Sequence, residues 1–359
     1  ASHSGFVQDL YWAARQWVGR FPGGLALATT IGGAGFAAAS GSSIASAAVL
    51  TKTALPEMER YKYDPKMATG CIAVVGTLAS VIPPSVHIIL YGIFTEQSIG
   101  KLLMAGILPG LLTAALYMLM ILVRTSFNPS LGPPVYGVTW KMRFVSLKGV
   151  WGVGLLVMLV LGGIYSGLFT PTEAGAVGAL GAFLFGFVSR RLTLRIVWTA
   201  LLETGRTSCM LLFLLVGVLI FNRFLAFSGV PTKLATFIAN IDAPPLVILI
   251  AILALYLFLG TFLTAIGMML VTLPVIYPLS VTLGFEPVWF GILVVMMAEI
   301  AMATPPVGLV TYTVHATAPH VPLTTVFKGV LPFNLMDIVA VTLLVIFPQI
   351  VLFLPSMIY

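Results

Sequence analysis

Long runs with almost no charged residue recur from one end of this 359-residue sequence to the other. In a hydrocarbon interior every backbone N–H and C=O must find its partner within the protein. Such runs therefore become helices or the strands of a closed barrel. A barrel strand alternates apolar and polar residues over about ten positions, whereas here both faces of each run are apolar. The sequence predicts an all-α polytopic membrane protein. Composition agrees: 59% of residues are hydrophobic and 8% charged, against about 25% charged in a soluble domain. The net charge of +7 comes without a Lys/Arg-rich run interleaved with aromatics, so no nucleic-acid partner is expected, and the lipid bilayer is the expected surroundings. Cys71 and Cys209 lie in apolar segments and read as small core residues rather than a disulfide or metal site.

Residues 5–20 read as an amphipathic helix lying in the interface. Phe6, Leu10, Trp12, Ala13 and Trp17 are apolar, Asp9, Arg15 and Arg20 are polar, and Pro22-Gly23-Gly24 ends it. Residues 23–56 are small and apolar around Ser40-Gly41-Ser42-Ser43, and are too few for two spans of about 20 residues each. Arg15 and Arg20 precede them, and Lys52, Arg60, Lys62 and Lys66 follow, so both ends belong on one side. The reading is a re-entrant hairpin of two half-depth helices; the alternative is one long kinked span. A span over 65–94 is broken at Pro83-Pro84, and 102–123 return. Residues 125–149 read as a loop with an interfacial arm, 150–168 and 174–188 as two spans, 193–206 as a short amphipathic stretch, and 207–226 as another span. Residues 245–283 repeat the hairpin pattern around Gly260-Thr261-Phe262-Leu263-Thr264, with two thin spans as the alternative. A second broken span, 287–314, is interrupted at Pro305-Pro306, and 329–354 form the last span. The six tryptophans fall near span ends, where interface anchors sit.

This layout divides the chain into an interfacial arm (1–21), a first hairpin and broken helix (22–101), scaffold-type helices with connecting arms (102–244), a second hairpin and broken helix (245–315), and a last membrane helix (316–359). With the first hairpin's flanks placed in the cytoplasm, fifteen basic residues fall inside, Arg190 and Arg191 among them, and three outside: Lys101, Arg223 and Lys233. That bias satisfies the positive-inside rule and puts the C-terminus in the periplasm.

Hairpin followed by Pro-Pro span occurs twice. Gly41 and Pro83 are 42 positions apart, and so are Leu263 and Pro305. The two hairpins open from opposite sides, which makes an inverted repeat, the usual frame of secondary transporters. Each proline removes an N–H and blocks the carbonyl four residues earlier. The breaks are thus expected to free the carbonyls of Ala79 and Ser80, and of Ala301 and Met302. Freed carbonyls and hydroxyls suit a hard cation that takes oxygen ligands. A first site is expected at Ser40, Gly41, Ser42, Ser43, Ala79, Ser80, Pro83, Pro84 and Ser85. A second is expected at Gly260, Thr261, Thr264, Ala301, Met302, Thr304, Pro305, Pro306 and Gly308. Half-helix N-termini at the tips favour an anion such as a substrate carboxylate, with Ser42, Ser85, Thr264 and Glu299 as substrate-facing candidates. The plainer reading is that the prolines only kink helices and the small residues only permit close packing.

Glu299, an acid in an apolar run, marks a functional position or a structural hydrogen-bonding group. His87 and His315 each follow a break and read as packed or boundary residues, with a proton relay as the alternative. Asp337 reads as a structural residue near the start of the last span, stabilised by the helix N-terminus. No metal-spaced Cys/His set, nucleophile elbow or nucleotide loop is present, so neither an enzyme, nor a bound cofactor, nor a self-powered pump is expected.

Several motifs occur together and in order: Gly23-Gly24-Leu25-Ala26, the Ser40-Gly41-Ser42 tip, Leu55-Pro56-Glu57-Met58, Tyr63-Asp64-Pro65, Ile82-Pro83-Pro84-Ser85, Ala105-Gly106-Ile107-Leu108-Pro109-Gly110, Thr170-Pro171-Thr172-Glu173-Ala174-Gly175-Ala176, and Thr304-Pro305-Pro306-Val307-Gly308. Over essentially its whole length the chain resembles the large membrane subunit of the tripartite ATP-independent periplasmic (TRAP) transporters. The resemblance implies an elevator-type, sodium-coupled importer of small organic acids in the bacterial inner membrane. It implies two partners, a small membrane subunit and a periplasmic substrate-binding protein. It carries the family's sodium sites to Ser40–Ser43 with Ser80–Ser85, and to Gly260–Thr264 with Ala303–Gly308. The family's large subunit has further scaffold spans before the position of Ala1, so the resemblance implies a fragment. The second tip departs from the family pattern, with neutral Thr264 where many members carry an acid. A stand-alone dicarboxylate or citrate carrier of the same superfold, and a channel or scaffold subunit, are the alternative readings.

Overall fold

Polar caps and prolines set many of the helix ends. The computed structural model describes residues 6–188, 192–229, 233 and 243–358. The start of the expected interfacial arm, Arg190 and Arg191, and most of 230–242 lie outside the described residues. Among the described residues all regular structure is helical. In chain order it comprises α1 (Phe6–Val18), α2 (Gly24–Ser40), α3 (Ser43–Arg60), α4 (Pro65–Thr77), a 3₁₀ turn (Leu78–Ser80), α5 (Val86–Thr95), α6 (Ile99–Phe127) and a second 3₁₀ turn (Pro129–Leu131). Then come α7 (Trp140–Tyr165), α8 (Pro171–Val188), α9 (Leu194–Ser228), α10 (Pro245–Gly260), α11 (Ala265–Thr282), α12 (Pro287–Ala303), α13 (Leu309–Thr317), α14 (Leu323–Ile346) and α15 (Gln349–Ile358). Six of these are long and apolar enough to cross a membrane.

The two segments expected as hairpins are helix–turn–helix pairs, α2–α3 and α10–α11; α11 is itself one of the six helices long and apolar enough to cross a membrane, as two thin spans would require. The Leu25 N–H donates to the Tyr63 hydroxyl at 2.9 Å, so the start of α2 and the chain just past α3 meet at one end. Burial of Tyr63 raises the pKa of its hydroxyl. The arms are longer than half the membrane: α2 and α3 have 17 and 18 residues, or roughly 26 and 27 Å at about 1.5 Å per residue. α3 gains length by continuing through the polar stretch Pro56-Glu57-Met58-Glu59-Arg60.

The helices leading into the two breaks form the core. Every residue of α4 from Met67 to Thr77 and of α12 from Val288 to Ala303 is buried. α4 packs on α14 at a glycine contact: a Cβ on Gly70 would lie 2.2 Å from the Gly329 carbonyl oxygen. α12 passes α4, α5, α6 and α14, and Tyr91 of α5 donates to the Pro287 carbonyl at 2.8 Å. Trp289, expected at an interface, is instead buried, and its Nε1 donates to the Leu344 carbonyl at 2.8 Å.

Other segments depart from the sequence reading. α7 starts at Trp140, not near residue 150, because Thr139 caps it through the Met142 N–H. Arg143 fastens this added stretch by donating to the Gln16 carbonyl of α1 at 3.1 Å. Residues 193–206 are not a separate stretch: α9 runs unbroken through 35 residues that include no proline. Asp337 sits well inside α14, buried and accepting from the Tyr117 hydroxyl, so the helix start is not what satisfies it. Cys71 is buried as expected, but Cys209 is exposed on α9.

Candidate functional site

The first hairpin tip and the first break meet. α2 ends at Ser40, and Gly41 takes a left-handed φ of 63°. A Cβ at Gly41 would stand 3.0 Å from the Pro84 carbonyl oxygen, so glycine allows both the turn and the close approach. Ser42 then caps α3, its hydroxyl accepting from the Ala45 N–H at 3.4 Å. Ser43, the first residue of α3, is buried, and its Oγ lies 2.5 Å from Ser80 Oγ in the 3₁₀ turn. Ala79 and Ser80 are both fully buried. Past the break, Ser85 caps α5 through the Ile88 N–H and donates its hydroxyl to the Ser80 carbonyl. One of the two carbonyls expected to be freed thus has a side-chain donor. Pro83 is buried and Pro84 half-buried, and the peptide between them is cis.

Glu299 belongs to this first junction, although it lies in the second repeat. Its Oε2 accepts from Ser43 at 2.7 Å, across 256 positions of sequence. Its Oε1 lies 3.5 Å from His87 Nε2 on the first turn of α5 and accepts no hydrogen bond. Glu299 is 2% exposed. His87, read from sequence as a packing residue, is a neighbour of this carboxylate, and its Nδ1 is also without a partner. The sequence signal for both was present: a membrane-embedded acid needs a partner.

The second junction is built differently. Gly260 closes α10 against α12, where a Cβ would meet the Ala301 Cβ at 2.5 Å. The tip hydroxyls turn back on their own segment. Thr261 donates to the Phe258 carbonyl at 2.8 Å, and exposed Thr264 caps α11 by accepting from the Gly267 N–H at 3.1 Å. Ala301 and Met302 are buried, Thr304 and Pro305 half-buried, and Pro306 exposed, with Gly308 leading into α13. Thr304 donates to the Ile300 carbonyl at 2.7 Å and accepts from Asn334 Nδ2 at 2.9 Å. Asn334, on α14, was not singled out from sequence; its amide oxygen is buried and unpaired. His315 hydrogen-bonds the Val321 carbonyl at 2.9 Å, apart from both junctions. Beside the first junction an apolar pocket separates Ala38, Ala39 and Pro84 from Val160, Ala174 and Gly178 of α7 and α8.

Paired hairpins, broken helices and several apolar spans define a polytopic membrane transport fold. The Alcanivorax borkumensis YdaH transporter has a similar one, with a TM-score of 0.63 over 99% of this chain and 83% of that one; at 16% identity the likeness is of fold alone. Residues 1–350 match the family model described as "Tripartite ATP-independent periplasmic transporter, DctM component", and the chain belongs to that family. Curated relatives include a C4-dicarboxylate TRAP transporter large permease protein of Pseudomonas aeruginosa, 34% identical over 98% of this chain and 82% of that protein. A sialic acid TRAP transporter large permease protein of Vibrio cholerae is 32% identical over 99% of this chain and 82% of that protein. An ectoine TRAP transporter large permease protein of Halomonas elongata is 32% identical over 94% and 79%. This chain is thus a large permease subunit, not an enzyme, and a multi-pass membrane protein.

Proposed function

We propose that this subunit imports small organic acids across the bacterial inner membrane, driven by sodium and supplied by a periplasmic substrate-binding protein, with a small membrane subunit as its other partner. The observation that carries the reading is the contact between first tip and first break, where Ser43 and Ser80 bring their hydroxyl oxygens to 2.5 Å. Serine oxygens and backbone carbonyls are the donors a hard monovalent cation takes, so the residues present fit sodium. The starts of α3 and α5 at the same junction suit a substrate carboxylate nearby. The relatives' names support an organic-acid class, since they include C4-dicarboxylates and sialic acid.

In this reading the hairpins are re-entrant, and they move with α4, α5, α12 and α13 as an elevator against a frame that includes α7–α9. The apolar pocket between the first junction and α7–α8 supports that division, because only apolar side chains line it. The C-terminus lies in the periplasm. The test is uptake into proteoliposomes holding both membrane subunits, with the cognate binding protein and a panel of organic acids. Saturable uptake that needs the binding protein and an inward sodium gradient is expected. Full-rate uptake without the binding protein would point to the stand-alone carrier, and uptake indifferent to sodium would end the ion-coupled reading.

A further inference from the structure

A carboxylate buried in a membrane protein needs a counter-charge or a full set of donors, because lipid supplies neither. Glu299 has one donor, Ser43, on Oε2. Its Oε1 has no hydrogen-bond partner, and the residue is 2% exposed. Among the described residues no Lys or Arg forms an ion pair with it; the one basic group within 4 Å is the His87 ring, 3.5 Å away.

We infer that Glu299 is the anionic ligand of the first ion site: its Oε1, together with the Ser43 and Ser80 hydroxyl oxygens, holds the cation, so that a residue of the second half completes a site otherwise built from the first. The inference rests on the ion-coupled reading above and gives it a specific chemistry. Serines and carbonyls supply only dipoles. A carboxylate supplies a full negative charge that offsets the cation's in a low-dielectric interior. Three elements converge on the site: Ser43 from the start of α3, Ser80 from the 3₁₀ turn, and Glu299 from α12. His87, in the first turn of α5, brings a fourth element beside the carboxylate. A cation there ties the hairpin tip, the first break and the central helix of the other half into one body. Ion binding then bears on both halves at once, whereas a site confined to the first repeat acts on one.

The test is sodium-dependent stabilisation of the purified large subunit with its small membrane subunit. The thermal unfolding midpoint is followed as sodium chloride replaces choline chloride at constant ionic strength. In the wild type the midpoint rises and saturates. Glu299→Gln keeps the shape and the hydrogen bond from Ser43 but removes the charge that faces the cation, and half-saturation moves to at least about tenfold higher sodium. Glu299→Asp keeps the charge but shortens its reach, and moves half-saturation by a smaller factor; it also serves if the glutamine variant does not insert. Wild-type half-saturation in either variant overturns the inference and leaves the ion-coupled reading intact. No sodium-dependent shift in the wild type ends that reading itself.

Discussion

Ser43 is where the first junction is held. Its hydroxyl meets both Ser80 and Glu299, so Ser43→Ala leaves a buried carboxylate with no donor at all. Stranding a buried polar group costs about 1–3 kcal/mol, and the thermal unfolding midpoint of the purified variant is expected to fall accordingly, with Ser42→Ala, which loses only a cap, falling less. A side chain at Gly41 is penalised for two separate reasons, its φ of 63° and the Pro84 carbonyl 3.0 Å from a would-be Cβ. Gly41→Ala is expected to lower stability by about 1–3 kcal/mol. The serine tip and the prolines stood out in the sequence because each acts on backbone a few residues away. Asn334 did not, since an amide amid an apolar helix gives no local sign of reaching a threonine thirty positions earlier. Asn334→Ala is expected to cost about 1 kcal/mol and to loosen the second break, read as faster hydrogen exchange across residues 304–308.

At the scale of elements, helix contact at small residues does what buried leucines do in a soluble core. α4 and α14 touch at backbone distance, and a Cβ on Gly329 would lie 2.1 Å from the Lys66 carbonyl oxygen. Gly329→Ala must push the two helices apart, at about 1–3 kcal/mol. Gly205 on α9 has nothing within 4 Å of a would-be Cβ, so Gly205→Ala is expected to lose no stability; paired melting curves check both. The elements themselves were largely legible. Caps, prolines and apolar run lengths place the hairpins and the broken helices to within a few residues. The exceptions are the last span, expected as one helix over 329–354 but ending at Ile346 ahead of Pro348 with α15 (Gln349–Ile358) beyond it, and α7 and α9, where polar residues read as loop or surface arm. A capped start and a run without proline let the helix continue through them, and only the packing of Arg143 on α1 shows what those polar residues do.

Over the whole molecule, burial is uneven. α4 and α12 are enclosed, whereas α9 presents Leu212, Phe213, Ile220 and Phe224 outward. A surface this apolar belongs against lipid or another membrane subunit. The cysteines report on it: Cys209 is exposed on α9 and Cys71 is buried beside Thr30. A lipid-soluble maleimide is expected to modify one thiol in the folded protein, and Cys209→Ser to abolish labelling, as read by intact mass. Labelling of Cys71 before unfolding would contradict the packing of α4.

By itself the sequence determined that this is a helical membrane protein with two proline breaks, each preceded by an apolar helix pair, a pattern that matched its family. Those features follow from charge-free run length, from the N–H that proline lacks, and from caps one turn away, all forces that act locally along the chain. The tertiary structure decided that the two junctions are unequal and that Glu299 lies at the first one rather than beside its own break. Ser43 and Glu299 are 256 positions apart. What brings them together is α3 packing on α4, which in turn passes the buried α12 of the other half, and no residue's local preference encodes that.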